Sequence, residues 1–263
     1  MKILVCVKQV PAKTVPMDRT SGVQDRSQAG GRINPWDLYA IEVALKIREA
    51  AGGTVTAFSM GPESAVQTLK TALSMGADDA ILLTDKAFAG ADVYATAFAI
   101  SQGIKASGKY DVVVCGQQTT DGDTAQLPFS LAVRLGIPAI GWIKKFDSAC
   151  EGKVSVVQEL SFGIQKSEVN TPCLLAIGDG VGTPRIPSLR DQLKAKSKTI
   201  KKVTLENLEE KDSSKYGLNA SPTRVVKVRE VEQSRKCESI ECSAEESAEL
   251  ILSELNKAKG GKA

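Results

Sequence analysis

Short apolar runs alternate with segments of helical periodicity along the first half of the chain. The clearest helical segment is 35–51, where apolar side chains recur every three or four residues. Asn34 is a suitable N-cap, Pro35 fits the first helical position, and Gly52 is a helix stop. The same reasoning predicts strands at 2–7, 54–60, 80–83 and 110–116, and further helices at 61–76, 92–107 and 123–135.

This alternation predicts an α/β fold, a doubly wound and mostly parallel sheet with helices on both faces. The pattern changes after residue 138. Apolar and polar residues alternate through 153–169 with a turn at Phe162-Gly163, which predicts an antiparallel hairpin appended to the sheet. A last buried strand is predicted at 172–178.

The rest of the chain is interpreted as an appendage of this domain. Residues 185–202 carry seven Lys or Arg against one Asp, and a polar, loop-like stretch follows. Near the end, Ser243 and Glu246 have the spacing of a capping box that opens a helix. One face of that helix carries Ala248, Ile251, Leu252 and Leu255. We therefore divide the chain into an α/β domain (1–182), a basic loop (183–204) and a C-terminal arm with a helix (205–263).

Composition restricts the classes of function. The chain has 263 residues and a net charge of +3, which gives no argument for nucleic acid. No apolar run reaches the roughly 18 residues of a membrane span, and the N-terminal run is typical of a first strand, not a signal peptide. Six scattered cysteines without a C-x-x-C, among them Cys237 and Cys242, indicate reduced thiols in the cytoplasm and no metal framework. Because the chain lacks histidine, no imidazole base acts within it.

The segment after the strand at 110–116, which continues GQQTTDGDTAQ, is longer and more polar than a strand-to-helix connection needs. Gly116 and Gly122 allow close approach of the backbone to a ligand, and the following helix N-terminus suits phosphate. Asp121 and Asp123 fit as helix caps or as acceptors for ribose hydroxyls. The segment is therefore either a nucleotide-binding loop or a Thr/Asp-rich turn that caps a helix. No G-x-G-x-x-G and no phosphate-loop lysine pattern is present, which argues against a nucleoside triphosphatase.

Five motifs in order give the chain a family resemblance. They are ILVCVKQVP, NPWDLYAIEVALK, MGPESAVQTLKTALSMGADDAILL, CGQQTTDGDTAQLPFSLAVRLGIP and PRIPSLRDQLKAKSK. Together they cover most of the chain, which resembles the β subunit of electron-transfer flavoproteins, including the electron-bifurcating type. The resemblance implies a sheet of the adenine-nucleotide-binding type, with cofactor contacts from Cys6, Val7, Lys8, Asn34, Trp36, Asp37, Met60, Gly61, Gln118, Asp121, Gly122, Asp123, Thr124, Ala125 and Gln126.

The identity of the cofactor separates two forms of this family. In plain carriers the β subunit holds AMP, whereas in bifurcating members it holds a second FAD. The stretch DKAFAGADVYATAFAIS resembles the bifurcating form, which implies flavin contacts from Gly90, Asp92 and Thr96. Val93 and Ala97 depart from that form, since a hydroxyl is common at both positions. The alternative is that Asp92 caps a helix and Gly90 permits tight packing.

The resemblance further implies a role in an oxidoreductase complex. FAD on this chain would take hydride from NADH and pass electrons to ferredoxin and, through the α-subunit FAD, to an acyl-CoA or hydroxyacid dehydrogenase. The alternative is a conventional carrier with structural AMP. A third possibility, a stand-alone nucleotide-binding module, does not account for the basic loop or the arm.

Two segments are expected to contact partners. The resemblance implies that PSLRDQLKAK is a recognition loop that docks the dehydrogenase, with Leu189 as its apolar anchor. The alternative is that its lysines only form a solvent-exposed face. An isolated helix with one apolar stripe must dock either on this domain or on the α subunit. We expect the α subunit.

Overall fold

A nine-stranded sheet organises the first part of the chain, with the order β11-β5-β4-β1-β6-β10-β7-β8-β9. The strands from β11 to β7 in that order pair in parallel, and β7, β8 and β9 pair antiparallel. The structure is a computed structural model that describes residues 1–13, 30–226 and 239–260. Its strands are β1 Lys2–Cys6, β2 Gln9–Pro11, β3 Gly31–Ile33, β4 Thr54–Met60, β5 Asp79–Leu83, β6 Val112–Gly116, β7 Ala139–Cys150, β8 Lys153–Leu160, β9 Gly163–Asn170, β10 Cys173–Ile177 and β11 Lys201–Val203.

Helices cover both faces of this sheet, as the alternating pattern predicts. Side chains of β1 alternate between two cores, with Val5 in one and Leu4 in the other. The first core contains residues of α1, α2 and α5, and the second contains residues of α3 and α4. The helices are α1 Pro35–Ala51, α2 Val66–Met75, α3 Val93–Ser107, α4 Leu127–Leu135, α5 Leu189–Ser197 and α6 Ala244–Gly260. The predicted α/β fold with an appended hairpin is confirmed.

The start of α4 differs from the predicted one. The sequence predicts a helix from residue 123, but α4 begins at Leu127. The backbone of Asp123 (φ 46°) and of Ala125 (φ 53°) is left-handed, which an α-helix does not permit. The loop after β6 is therefore longer than predicted.

The segment predicted as a basic loop and the start of an arm belongs to the α/β unit. The chain divides into two compact units, Met1–Val228 and Arg229–Ala263, and these do not coincide with the boundaries at 182 and 204. Within the expected loop lies helix α5, and β11 pairs with β5 in the main sheet. The physical reason is burial, because Val203, Leu208 and Tyr216 fill the second core.

The second unit contains α6, a helix of 17 residues. The predicted capping box is present, since Ser243 N–H donates to Glu246 Oε2 (2.8 Å) and Glu246 N–H donates to Ser243 Oγ (3.2 Å). Cys237 lies outside the described residues. No helix in the described part of the chain is long and apolar enough to span a membrane.

Candidate nucleotide-binding site

The strand order places a topological switch point between β1 and β6. From β1 the chain continues to β4 and β5 on one side, and it then crosses to β6 on the other side. Val5 pairs with Val114 in parallel register, so Lys8 and Gln118 leave the sheet at the same edge. In open α/β sheets, ligands bind beyond the carboxyl ends of the strands at such a point.

The N-terminus of α1 closes one wall of this crevice through a buried hydrogen-bond network. The Asn34 side chain is fully buried, and its Nδ2 donates to Asp37 Oδ1 (2.9 Å) and to Gln118 O (2.8 Å). The backbone N–H of Lys8 donates to Asp37 Oδ2 (2.7 Å), and that of Thr120 donates to Asn34 Oδ1 (3.3 Å). Asn34 holds the predicted N-cap position without capping the helix by its side chain. It ties β1, α1 and the loop after β6 together instead.

Gly116 permits this close approach of α1 to β6. A Cβ atom at Gly116 would lie 2.3 Å from Asp37 Oδ1 and 2.9 Å from Trp36 Cβ, which no real Cβ atom tolerates. Any larger residue would push the start of α1 away from the sheet edge. The half-buried Trp36 is held at the edge by the same contact.

Asp37 is a buried carboxylate at the centre of this network. Burial raises its pKa from 3.8 to about 7, and the hydrogen bonds from Asn34 and from the Lys8 backbone oppose that rise. The charge of Lys8 opposes it as well. Asp37 therefore changes its protonation state near neutral pH.

The loop between β6 and α4 folds back on the Lys8 side chain. Lys8 Nζ lies 2.7 Å from Asp121 Oδ1, and the N–H of Gly122 donates to the same oxygen (2.9 Å). Asp123 N–H donates to Thr119 O (3.1 Å). The Lys8 side chain remains 39% exposed, so a cation stands at the mouth of the crevice.

Three backbone N–H groups in the residues just before α4 are available to a ligand. The N–H groups of Thr124, Ala125 and Gln126 donate to no acceptor among the described residues. Pro128, in the first turn of α4, carries no N–H at all. The N-terminus of a helix carries partial positive charge, and its free N–H groups suit a phosphate. The donor set therefore fits the phosphate of a nucleotide.

The neighbouring strands end at the same edge. Val7 N–H donates to Phe58 O (2.8 Å) and Gly61 N–H donates to Leu83 O (3.1 Å), which aligns the ends of β1, β4 and β5. In this region the buried hydroxyl of Ser59 has no partner among the described residues. The structure thus brings one predicted group to this edge: Cys6, Val7, Lys8, Asn34, Trp36, Asp37, Met60, Gly61, Gln118, Asp121, Gly122, Asp123, Thr124, Ala125 and Gln126.

In the second predicted group, Gly90 and Asp92 lie between β5 and α3, and Thr96 lies in the first turn of α3. Strand β5 is two strands away from β1. No hydrogen bond in the described part of the chain joins this group to the first. Asp92 caps α3 as predicted, because its Oδ1 accepts from Ala95 N–H (3.0 Å). The Thr96 hydroxyl lies 3.5 Å from Ala91 O. Gly90 has a left-handed backbone (φ 72°).

Two features of the region escape sequence reasoning. The side chain of Gln117 is buried, and its Oε1 accepts from Trp142 N–H (2.9 Å) while its Nε2 has no partner in the described residues. A run of two glutamines gave the only hint of this role. Ser221 and Thr223 bind Asp92 from about 130 residues away, and no local pattern signals such a contact.

The candidate docking residue lies elsewhere, at the start of α5. Ser188 and Asp191 form a capping box, and Leu189, the first helical residue, is 73% exposed. Arg185 fixes the preceding segment on α1 through Glu42, with Nε to Oε2 at 2.8 Å. Leu193, one turn further along α5, is exposed as well.

Comparison with known proteins identifies the family of the chain. The electron transfer flavoprotein domain matches residues 21–208. The electron transfer flavoprotein subunit beta of Thermoanaerobacterium thermosaccharolyticum is 41% identical, over 97% of this chain and 98% of its own. The caffeyl-CoA reductase–Etf complex subunit CarD of Acetobacterium woodii is 40% identical over 86% of both chains. Protein FixA of Azorhizobium caulinodans is 33% identical over 98% of this chain and 94% of its own. On these matches, the chain belongs to the family of electron transfer flavoprotein β subunits.

Proposed function

We propose that the crevice between β1 and β6 binds an adenine nucleotide whose phosphate is held by the start of α4. The observation that carries this proposal is that the N–H groups of Thr124, Ala125 and Gln126 donate to no acceptor in the described part of the chain. Lys8 places a cation beside them, and Gly116 lets α1 close the opposite wall. The carboxylate of Asp121 or Asp123, in the same loop, would accept hydrogen bonds from the ribose hydroxyls.

We propose further that the nucleotide is FAD and that the chain serves electron bifurcation. When bound, FAD would accept hydride from NADH and deliver electrons to ferredoxin and, through the α-subunit FAD, to a partner dehydrogenase. The chain's own residues bind and orient this cofactor and contribute no acid or base to hydride transfer. Support comes from the resemblance at Gly90–Thr96, where Gly90 and Ala91 precede α3 and Ala95 and Thr96 lie in its first turn.

The competing candidate is a conventional carrier in which the same crevice holds AMP. What favours it is that both carboxylate oxygens of Asp92 already accept hydrogen bonds within the chain, which leaves less acceptor capacity for a flavin. The two forms differ in cofactor content and in response to NADH.

A cofactor count distinguishes them. The αβ complex is denatured, and released FAD and AMP are quantified by absorbance and chromatography, together with stopped-flow reduction by NADH. We expect two FAD per heterodimer and rapid reduction. One FAD with one AMP, and no direct reduction, would establish the conventional carrier.

Partner contacts complete the proposal. The α subunit is bound by α6, whose stripe Ile251, Leu252 and Leu255 is 52–61% exposed. Leu189 on α5 docks an acyl-CoA or hydroxyacid dehydrogenase. The name of the Acetobacterium relative couples an Etf complex to a caffeyl-CoA reductase, which supports this class of partner.

A further inference from the structure

The segment 216–223, which leads toward the C-terminal part of the chain, is fastened to the start of α3. Tyr216 is buried, and its ring packs against Phe88 (5.3 Å between centroids) and Phe98 (5.2 Å). Leu218 N–H donates to Ala89 O (3.0 Å). The segment therefore lies on the same loop that precedes α3.

Asp92 is the centre of this attachment. Its Oδ2 accepts from both the N–H (3.0 Å) and the hydroxyl (2.7 Å) of Thr223, and its own N–H donates to Ser221 Oγ (2.9 Å). Its Oδ1 is occupied by Ala95 N–H. Although partial burial opposes it, this set of donors holds the pKa of Asp92 below its usual value. We call Asp92, Ser221 and Thr223 the clasp.

Shape complementarity supports the same contact. Gly217 has a left-handed backbone (φ 59°), and a Cβ atom there would lie 2.3 Å from Ala87 O. A Cβ atom at Gly90 would lie 3.2 Å from Leu218 Cβ. A side chain at Gly217 would therefore prevent the segment from packing against the loop before α3, and one at Gly90 would crowd it.

We propose that the clasp is a positioning device for assembly, in which Asp92 fixes where the C-terminal arm leaves the α/β unit and so favours binding of the α subunit. Charge-assisted hydrogen bonds hold Thr223, and the next residues, Arg224, Val225 and Val226, are exposed. An arm that starts from one fixed point loses less conformational freedom when α6 binds a partner. The proposal rests on the proposed docking of α6 on the α subunit.

Limited trypsin digestion of the full-length chain tests the clasp itself. Cleavage after Arg224 requires the clasp to open, whereas cleavage after Lys211, which is 59% exposed, does not. Thr223→Val removes the hydroxyl and should accelerate cleavage after Arg224 about tenfold, equivalent to about 1.4 kcal/mol. Thr223→Ser keeps the hydroxyl and should cleave like the wild type.

Gly217→Ala disrupts the same contact without changing a hydrogen bond of the clasp, because the added Cβ would collide with the carbonyl oxygen of Ala87. We expect it to accelerate cleavage after Arg224 as well, with cleavage after Lys211 unchanged. Unchanged cleavage after Arg224 in both Thr223→Val and Gly217→Ala overturns the clasp. Equal acceleration at both sites also overturns it, because that result indicates general unfolding.

A binding titration of this chain with the α subunit tests the role of the clasp in assembly. For the Thr223→Val chain we expect about tenfold weaker binding of the α subunit, with wild-type affinity restored in Thr223→Ser. Accelerated cleavage with unchanged affinity would overturn the role in assembly. If deletion of α6 from an otherwise wild-type chain left its affinity for the α subunit unchanged, that result would instead contradict the proposed docking of α6.

Discussion

At the scale of single residues, the sheet edge depends on one buried carboxylate. The pKa of Asp37 is raised to about 7 by burial, against 3.8 ordinarily. Between about pH 4 and pH 7 the folded state keeps a proton that the unfolded chain releases, so raising the pH through this window lowers the free energy of unfolding. Above pH 7 the contribution of Asp37 is constant.

Asp37→Asn should remove this pH dependence. From pH 5 to pH 8, we expect the free energy of unfolding of the wild type to fall by about 2–3 kcal/mol more than that of the variant. Urea denaturation at both pH values measures the difference. Parallel pH profiles for the two proteins would show that Asp37 titrates normally in the folded state.

Residue pairs at this edge show what the sequence conceals. Lys8 was identified through the resemblance, but its partners Asp37 and Asp121 lie 29 and 113 positions away. Gly116 was selected for approach to a ligand, and the structure uses it for contact with Trp36 and Asp37. Such distant pairings depend on the three-dimensional path of the chain, which no local pattern records.

At the scale of elements, hydrophobic periodicity predicted the strands and helices that bury a full face. It missed the twelve-residue strand β7 and helix α5, which have at most two buried residues each. It also missed β2, β3 and β11, which have three residues each. Runs that short carry no periodicity, and β11 includes two lysines at the sheet edge. It also missed the left-handed Ala125, because alanine gives no signal of positive φ.

The geometry of the α4 start can be tested at Ala125. Ala125→Val places a β-branched residue at φ 53°, where alanine already costs about 1–2 kcal/mol and β-branching adds to that cost. The loop should therefore leave its left-handed shape and release the nucleotide. Ala125→Gly keeps both the N–H and the geometry. Nucleotide content of the purified complex is the measurement. Wild-type content in Ala125→Val would refute phosphate binding by this loop.

Helix α5 makes a separate prediction through Leu189. Because Leu189 is 73% exposed, Leu189→Ala should change the free energy of unfolding by less than about 0.5 kcal/mol. Electron transfer to the dehydrogenase should slow severalfold, while dye reduction by NADH stays unchanged. Val133→Ala, at an 81% exposed apolar position on α4, serves as the control. Equal transfer rates in both variants and in the wild type would show that Leu189 is not part of the docking surface.

At the scale of the whole molecule, α6 has an apolar stripe with no covering partner among the described residues of its own unit. Ile251, Leu252 and Leu255 are 52–61% exposed, in a helix rich in Glu and Lys. An isolated helix of this length is only marginally stable in water, so the stripe requires a partner surface. Deleting residues 240–263 should therefore dissociate the heterodimer in size-exclusion chromatography. The α/β unit should keep its unfolding transition, because its two cores contain no residue of α6.

Substitutions on the full-length chain separate loss of the stripe from loss of the segment. Ile251→Asp with Leu255→Asp places two charges on the stripe and should weaken the heterodimer as the deletion does, because unpaired charges are costly to bury in an interface. Glu245→Gln with Glu249→Gln changes two exposed polar positions of α6 and should leave assembly intact. Dissociation by both pairs would point to helix stability as the cause. Dissociation by neither pair, with an intact complex after the deletion, would show that the α subunit binds another surface of this chain.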